Sequence, residues 1–331
     1  MPTRGPLVDG FGRVHTDLRI SVTDRCNLRC VYCMPEVGMT FAPHAEILTF
    51  EELLRIAKVA RGLGVRTVRL TGGEPLVRRG IVDFVGGLSD LGFDDIAMTT
   101  NAMELARLAA PLAEAGLTRV NVSCDSLRDD RFAALRRRGD LATVLGAMDV
   151  ADGVGLGPVK VNVVLLAGVN EDEILDFAAF ARATGRVVRF IEFMPLDGDH
   201  HWSASNVVAS ADVLERIEQR WPLERVQQAN EVAPAVRYRF RDGRGEIGVI
   251  ATVTQPFCGT CDRLRLTADG FVRNCLFSAE ETALRDVMRA GCDDQVIEGA
   301  IRRAVWEKKA GRGSDDLTLL RPRRSMSMIG G

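Results

Sequence analysis

Short apolar runs typical of strands alternate with amphipathic stretches typical of helices over the first two thirds of the chain. The predicted strands lie at residues 18–22, 67–70, 96–99, 119–124, 159–165 and 187–191. Repeated β-then-α units predict an α/β fold with a parallel sheet. Six units are too few for a closed eight-stranded barrel. We therefore expect an open, partial (β/α)6 barrel of the TIM type.

Helix signals support this pattern. Thr49 followed by Glu52 is a capping box, and it predicts a helix that begins at residue 50. Another predicted helix lies before the sixth strand, with Ile174, Phe177 and Ala181 on one side.

The pattern changes after residue 220. Residues 236–241 and 247–253 alternate like antiparallel strands around a turn, and helical stretches follow near 280–289 and 293–308. We expect a barrel at 13–225, a C-terminal region at 226–310 and a flexible tail at 311–331 that ends in Gly330 and Gly331.

Composition narrows the class of protein. The 331 residues are 46% hydrophobic, enough for a large core, and the net charge of −2 argues against nucleic acid or an anionic membrane as a partner. Because neither a signal peptide nor a run of about 18 apolar residues occurs, a cytoplasmic protein with reduced thiols is expected. Six of the eight cysteines fall in two tight groups, which indicates metal binding. The other two, Cys124 and Cys292, are expected to be small buried apolar residues.

The unusual residues follow predicted strands. The first cysteine group, a Gly-Gly-Glu turn at 72–74, and the residues at 100–101, 123–125 and 192–194 all do so. Because the working site of a parallel α/β barrel lies at the carboxyl ends of its strands, these residues are expected to meet. The glycine-rich stretch at 153–158 precedes a strand instead, so it is interpreted as a plain turn.

The first cysteine group, Cys26, Cys30 and Cys33, has the spacing Cys-x3-Cys-x2-Cys. Three thiolates can hold three irons of a [4Fe-4S] cluster and leave the fourth iron open. The pattern resembles the radical S-adenosylmethionine (SAM) superfamily, in which the open iron binds SAM. Zinc is the alternative, but zinc would need a fourth ligand that this loop does not readily supply.

The second group is Cys258, Cys261 and Cys275, with Arg263 and Arg265 close by. If residues 261–265 are extended, Cys261 and both arginines share one face. Paired guanidiniums suit a polyphosphate, whereas the alternative for the arginines alone is a solvated strand face.

Together these motifs resemble the molybdenum cofactor biosynthesis protein A family of GTP 3′,8-cyclases. The resemblance runs from about residue 17 to 331 and is carried by residues 17–23, the first cysteine loop, 69–75, 121–127, 160–162, 189–194, the second cysteine group and 328–331. It implies a partial barrel with a C-terminal extension that carries a second iron–sulfur cluster. The implied cofactors are two [4Fe-4S] clusters and SAM.

The resemblance also assigns roles to residues of this sequence. The implied SAM contacts are Tyr32, Gly73, Glu74, Ser123 and Met194. The implied GTP contacts are Arg19, Arg69, Thr100, Lys160, Arg263, Leu264 and Arg265. The residues implied in catalysis are Arg19, Arg263, Arg265, Gly330 and Gly331. The metal ligands would be the six cysteines of the two groups.

The activity implied is abstraction of the ribose C3′ hydrogen by a 5′-deoxyadenosyl radical, followed by closure onto guanine C8. The product, (8S)-3′,8-cyclo-7,8-dihydroguanosine 5′-triphosphate, would pass to cyclic pyranopterin monophosphate synthase in the first steps of molybdenum cofactor biosynthesis. Flavodoxin or ferredoxin would donate electrons, and a homodimer is implied. The chain departs from the family at Ala102, where glycine is usual, and at Cys124, where valine or leucine is usual.

Two rival interpretations remain. One is a radical SAM peptide maturase with auxiliary clusters, although such enzymes usually carry more C-terminal cysteines and lack the Cys-x-Arg-x-Arg element. The other is a non-catalytic zinc or iron–sulfur protein, which would not need SAM-like turns at several strand ends.

Overall fold

The computed structural model describes residues 1–35, 37, 39–199, 201–227, 232–311 and 324–330. Within these residues one mixed sheet of twelve strands runs through the molecule. Its strands are Asp17–Ser21 (β1), Thr67–Thr71 (β2), Asp95–Thr100 (β3), Arg119–Ser123 (β4), Lys160–Leu165 (β5), Val187–Glu192 (β6), Leu223–Arg225 (β7), Val236–Phe240 (β8), Glu246–Ile250 (β9), Arg263–Leu266 (β10), Phe271–Arg273 (β11) and Thr282–Ala283 (β12).

The described α-helices lie between and after these strands. They are Phe50–Gly62 (α1), Ile81–Asp90 (α2), Leu105–Glu114 (α3), Asp129–Arg136 (α4), Leu141–Gly153 (α5), Ile174–Thr184 (α6), Ser210–Glu218 (α7), Arg285–Arg289 (α8), Asp294–Trp306 (α9) and Met326–Ile329 (α10). No helix of the described ranges is long and apolar enough to cross a membrane.

The middle of the sheet is parallel. Strands β1 to β6 are neighbours in chain order, and all pair in parallel. Each of the six predicted strands is therefore confirmed, as is the α/β class. A large mixed sheet of this topology is consistent with a partial TIM-type barrel.

Local sequence explains where the helices begin and which face they bury. In α1 the Thr49 hydroxyl accepts from the Glu52 amide at 3.2 Å, and the Glu52 carboxylate accepts from the Thr49 amide at 2.8 Å, so the predicted capping box is present. Helix α6 buries Ile174, Phe177, Ala178 and Ala181, the face that its periodicity predicts. These faces cover the outside of the sheet, so the opposite side is left for polar side chains.

The predicted hairpin is confirmed, because β8 and β9 pair in antiparallel register. The sequence did not predict what lies beside it. Strand β9 also pairs in parallel with β6, and β10 pairs in parallel with β1 at the far edge. The C-terminal region thus adds one parallel strand to each side of the six-unit core. The predicted boundary between residues 225 and 226 stays a prediction.

One predicted element was partly wrong. The stretch 280–289 is helical only from Arg285, because Thr282–Ala283 forms a short strand against β11. The Leu284 amide then donates to the Gly270 carbonyl at 2.9 Å, which ties this segment to the turn before β11.

Candidate active site

A cavity of about 280 Å³ lies at the carboxyl ends of the parallel strands. All six cysteines line it, although the two cysteine groups are more than 200 residues apart in sequence. The other predicted site residues that line it are Arg19, Tyr32, Arg69, Gly73, Glu74, Thr100, Ser123, Met194, Arg263 and Arg265. The fold therefore brings most of the predicted site into one cavity.

The glycine turn at 72–74 packs directly on the first cysteine loop. The Gly73 amide donates to the Thr23 carbonyl at 2.7 Å, and the Glu74 amide donates to the Arg25 carbonyl at 2.8 Å. A Cβ on Gly73 would lie under 3.0 Å from the Arg25 carbonyl oxygen. In this structure the glycine is therefore required for close packing of the loop that carries Cys26, whatever a ligand also requires.

Gly73→Ala should lower stability by about 2 kcal/mol, the usual cost of overpacking rigid backbone, and should reduce iron retention. The matched control is Gly86→Ala in α2, where a Cβ would meet nothing within 4 Å. That control should gain about 0.5–1 kcal/mol from helix propensity. Thermal unfolding and iron analysis of both variants measure the difference. Equal unfolding midpoints would contradict the packing argument.

Glu74 is buried, and its carboxylate is hydrogen-bonded on both oxygens. It accepts from the Leu76 amide at 3.0 Å, the Thr100 hydroxyl at 2.7 Å and the Asn101 amide at 2.7 Å. Burial raises the pKa of Glu74 to about 7, although these three hydrogen bonds oppose the rise. Because a carboxylate has about four acceptor positions, one remains for a cationic ligand group.

The departure at Ala102 has a visible backbone cost. Ala102 has φ +66°, in the left-handed region that favours glycine. Its amide donates to the Thr100 hydroxyl at 3.0 Å, so the turn after β3 is retained despite the side chain. The other departure, Cys124, is fully buried in the core, as predicted, whereas Cys292 is half-buried.

The first cysteine group has the donors that a [4Fe-4S] cluster takes. Cys26, Cys30 and Cys33 line one cavity, and three thiolates can bind three irons of such a cluster. Burial raises the pKa of the Cys26 thiol to about 12, so binding of iron must displace a proton there.

The second group is surrounded by cations. Arg263 donates to the Cys261 sulfur from Nε and Nη2 at 3.3 and 3.2 Å, and buried Lys308 donates to it at 3.3 Å. Burial raises the pKa of Cys261, but the charges of Arg263 and Lys308 outweigh it and bring the pKa down to about 7. Cys261 is therefore a good thiolate ligand.

Arginines on three neighbouring strands form a row in the cavity wall. Arg19 of β1 is in register with Arg265 of β10 on one side and with Arg69 of β2 on the other. The Nε atoms of Arg19 and Arg69 are buried and have no hydrogen-bond partner. Burial, with the charges of Arg265 and Arg69, lowers the pKa of Arg19 well below its usual value. This row is thus arranged to bind a multiply charged anion.

Sequence reasoning missed Arg189 and Asn162. Both line the cavity, and each has a buried polar atom without a partner, Nε of Arg189 and Oδ1 of Asn162. Arg189 interrupts the apolar run at residues 187–191 of β6, and this is the signal that could have found it. Burial and the charges of Arg69 and Arg119 lower the pKa of Arg189 to about 9.

Two of the predicted substrate contacts, Leu264 and Lys160, are not among the residues that line the described cavity. The side chain of Leu264 lies in the hydrophobic core, so only its backbone could face a ligand. Lys160 begins β5, at the end of the strand away from the cysteine loops, and does not line the described cavity. Burial and the charges of Arg189 and Arg119 lower the pKa of Lys160 to about 7. Whether either residue binds substrate stays a prediction.

The C-terminal segment enters the same space. Met326 and Ser327 line the cavity, and the Met326 amide donates to the Leu196 carbonyl at 3.1 Å. Nη1 of Arg265 donates to the carbonyl of Gly330, which is buried. Gly331 and residues 312–323, parts of the predicted tail, lie outside the described residues.

Comparison with known proteins matches nearly the whole chain to two family models and to curated relatives. Residues 20–181 match the model of the radical SAM superfamily, and residues 186–313 match that of molybdenum cofactor synthesis C. A GTP 3′,8-cyclase of Corynebacterium glutamicum is 45% identical, over 98% of this chain and 89% of the relative. One of Streptomyces coelicolor is 47% identical, over 98% and 96%.

A solved structure with a related fold is that of Streptococcus suis SuiB bound to precursor peptide SuiA. Its TM-score is 0.61 at 14% identity, covering 91% of this chain and 67% of that one. At this identity the likeness shows the fold alone.

The matched models, the strand-end cavity and the first cysteine loop define a radical SAM enzyme, a class that implies a [4Fe-4S] cluster and SAM. At 45–47% identity over nearly its full length, the chain belongs to the GTP 3′,8-cyclase family.

Proposed function

We propose that this enzyme converts GTP to (8S)-3′,8-cyclo-7,8-dihydroguanosine 5′-triphosphate, the first step of molybdenum cofactor biosynthesis. The observation that carries the proposal is that both cysteine groups and the row of Arg19, Arg69 and Arg265 line one cavity. A radical source, a site for a base and a site for a polyphosphate would then lie within reach of one nucleotide.

The first cysteine group would hold the [4Fe-4S] cluster that activates SAM. When bound, the cluster would supply one electron to SAM, and the cleavage of SAM would supply a radical able to abstract a hydrogen atom. The chain's own contribution is position: Glu74 offers a remaining carboxylate lone pair to the SAM ammonium, and Tyr32, held by a 2.8 Å hydrogen bond to Asp125, offers a ring to adenine. Gly73, Ser123 and Met194 complete the proposed SAM contacts.

The second group, Cys258, Cys261 and Cys275, would hold a second [4Fe-4S] cluster. Three cysteines would leave one iron of this cluster without a protein ligand, and by resemblance to the family we assign that position to the guanine base. The low pKa of Cys261 supports ligation by thiolate at neutral pH. Arg263 contacts the sulfur of Cys261, so we assign it to this cluster as well as to the substrate.

The triphosphate would lie against the arginines. Arg19, Arg69 and Arg265 carry positive charge that burial and mutual repulsion make costly, and an anion would relieve both costs. We add Arg189 to the predicted contacts, since it lines the cavity and its buried Nε has no hydrogen-bond partner. Thr100, Lys160 and the backbone of Leu264 remain proposed contacts. Such clamping holds the ribose beside the radical source.

In the proposed reaction the ribose C3′–H bond breaks and a bond forms between C3′ and guanine C8. The imidazole part of guanine takes up one electron and one proton, so each turnover uses two electrons from an external donor. We propose flavodoxin or ferredoxin as that donor, cyclic pyranopterin monophosphate synthase as the next enzyme, a homodimer as the assembly and the cytoplasm as the location. Enclosure of the cavity by the tail would keep water and other reactants from the radical.

The test is an anaerobic assay of the reconstituted protein with GTP, SAM and dithionite, followed by chromatographic separation of the nucleotides and mass analysis of the product. We expect about eight irons per chain, the sum of two four-iron clusters, and a cyclised product with the mass of GTP. About four irons, or zinc in the second group, would contradict the two-cluster proposal. SAM cleavage without any cyclised nucleotide would favour the peptide maturase alternative.

A further inference from the structure

Arg136, the last residue of α4, is a buried cation that the proposed reaction does not use. It is 2% exposed and lies more than 100 residues after the first cysteine group. Its Nη1 donates a hydrogen bond to the sulfur of Cys30 at 3.0 Å. No part of the radical SAM cysteine spacing predicts such a donor.

The backbone fixes this contact on both sides of Cys30. The Arg29 amide donates to the Arg136 carbonyl at 3.1 Å, and the Val31 amide donates to the Leu135 carbonyl at 3.0 Å. The cysteine loop is therefore hydrogen-bonded to the last turn of α4, and the helix carries the guanidinium to the sulfur. A change in the loop would move the donor with it.

A buried carboxylate holds the guanidinium in place. Nη2 of Arg136 forms an ion pair with Oδ2 of Asp125 at 2.7 Å, and Asp125 is 1% exposed. The same carboxylate accepts from the Tyr32 hydroxyl at 2.8 Å and from the Val164 amide at 2.9 Å. The contact with Arg136 is an ion pair without hydrogen-bond geometry, so Asp125 fixes the guanidinium by charge, while the hydrogen bond of Nη1 to Cys30 sets its direction.

The Cys30 sulfur differs from the Cys26 sulfur in the charge of its donors. The described donors to the Cys26 sulfur are neutral, the Leu28 amide at 3.4 Å and the Asn101 amide nitrogen at 3.7 Å. The donor from Arg136 to the Cys30 sulfur is a guanidinium, at 3.0 Å. Arg136 thus places a buried positive charge in direct contact with one of the three ligand positions.

We propose that Arg136 is a positioning residue that raises the reduction potential of the cluster at Cys26, Cys30 and Cys33. Reduction adds one negative charge to the cluster, and a nearby buried cation stabilises the reduced form more than the oxidised form. Hydrogen bonds to ligand sulfurs act in the same direction. The inference rests on the proposed cluster at these three cysteines.

The experiment is a potentiometric titration followed by electron paramagnetic resonance, without SAM and with dithionite as the one-electron donor. The full chain carries alanine at Cys258, Cys261 and Cys275, so that one cluster gives the signal. In this background Arg136→Met should lower the ratio of reduced to oxidised cluster at a fixed potential at least tenfold, which is 59 mV for a one-electron couple. Arg136→Lys, which keeps the charge, should recover most of the shift.

The matched control is Arg138→Met, since Arg138 lies two residues further along and is exposed. It should have the potential of the parent protein. If Arg136→Met does not fold, Arg136→Gln removes the charge and keeps a polar side chain beside Asp125, and the potential should still fall. Circular dichroism and iron content establish that each variant is folded and loaded.

Equal potentials in the parent and in the folded variants that lack Arg136 would overturn the inference, and so would an Arg136→Lys potential as low as that of Arg136→Met. Failure of the parent to bind about four irons is a different result, because it would overturn the proposed cluster itself.

Discussion

Replacing Arg19 with methionine is expected to weaken GTP binding about 100-fold and, at the same time, to raise the thermal unfolding midpoint of the ligand-free protein. The two effects share one cause. Arg19 is 8% exposed, its Nε has no hydrogen-bond partner, and its only acidic neighbour in the described ranges, Asp17, is 3.9 Å away. Arg265 and Arg69 flank it with like charge.

Removing a buried, poorly paired charge in favour of an apolar side chain of similar length should stabilise the fold by about 1 kcal/mol or more. Binding should suffer because hydrogen bonds to charged groups contribute about 1.5–3 kcal/mol each, and about 2.8 kcal/mol is a factor of 100. Calorimetric titration with GTP measures the loss of affinity, and a thermal melt of the same preparation measures the rise in the unfolding midpoint. A variant that binds GTP normally would contradict the phosphate role of the row.

Arg119→Met is the matched control. Arg119 lies on β4 and does not line the cavity. It forms a bidentate ion pair with the half-buried Asp95, with Nε bonded to one carboxylate oxygen and Nη2 to the other. Its loss leaves Asp95 without its main partner, so stability should fall while GTP binding changes little. A gain in stability for Arg19→Met and a loss for Arg119→Met would distinguish a substrate-binding arginine from a structural one.

The structure also changes which arginine is the informative one to replace. The alternation of an extended strand predicts that Arg263 and Arg265 share one face and play the same role, and both do line the cavity. However, Arg263 donates twice to the Cys261 sulfur and stacks on Phe257, with the guanidinium carbon 4.8 Å from the ring centroid. Replacing Arg263 would therefore disturb the second cysteine group as well as substrate. Arg19, which contacts no cysteine, is the cleaner test of phosphate binding.

What the sequence could predict was local. Apolar periodicity placed six strands within one or two residues, and the capping box at Thr49 marked where α1 begins. Residues that follow strands in sequence also met in space, because the carboxyl ends of parallel strands share one edge of a sheet. Most of the residues that the resemblance named line the cavity.

What the sequence could not predict depends on pairing between distant segments. Nothing in β9 or β10 indicates that one pairs with β6 and the other with β1, since an edge strand and an inner strand can share one alternation pattern. Arg136 was missed for a related reason. Its side chain reaches Cys30 only because α4 ends against the cysteine loop, a contact that no spacing between residues 30 and 136 encodes.

The C-terminal glycines provide the second large effect. Deleting Gly330 and Gly331 should abolish the cyclised product while reductive cleavage of SAM continues, because Gly330 contacts Arg265, which we assign to the substrate. The Gly330 carbonyl accepts from Arg265, and the residue has φ +70°. A Cβ there would lie under 3.0 Å from the Thr71 hydroxyl oxygen. Gly330→Ala should thus displace the tail and lower cyclisation about 100-fold, as expected for a misplacement near 1 Å.

Gly291→Ala separates this steric effect from backbone strain. Gly291 also has positive φ, at +85°, but a Cβ there would meet nothing within 4 Å. Both variants therefore carry a similar left-handed cost of about 1 kcal/mol, and only Gly330→Ala adds a clash, with the side chain of Thr71 in the cavity wall. The measurement is the ratio of cyclised nucleotide to 5′-deoxyadenosine in one anaerobic reaction. If both variants keep the wild-type ratio, the tail has no part in guiding the radical; if both lose it equally, strain and not position explains the loss. A low ratio in Gly330→Ala alone would mean that the tail, held by the same arginine row that we assign to the triphosphate, directs the radical to the ribose.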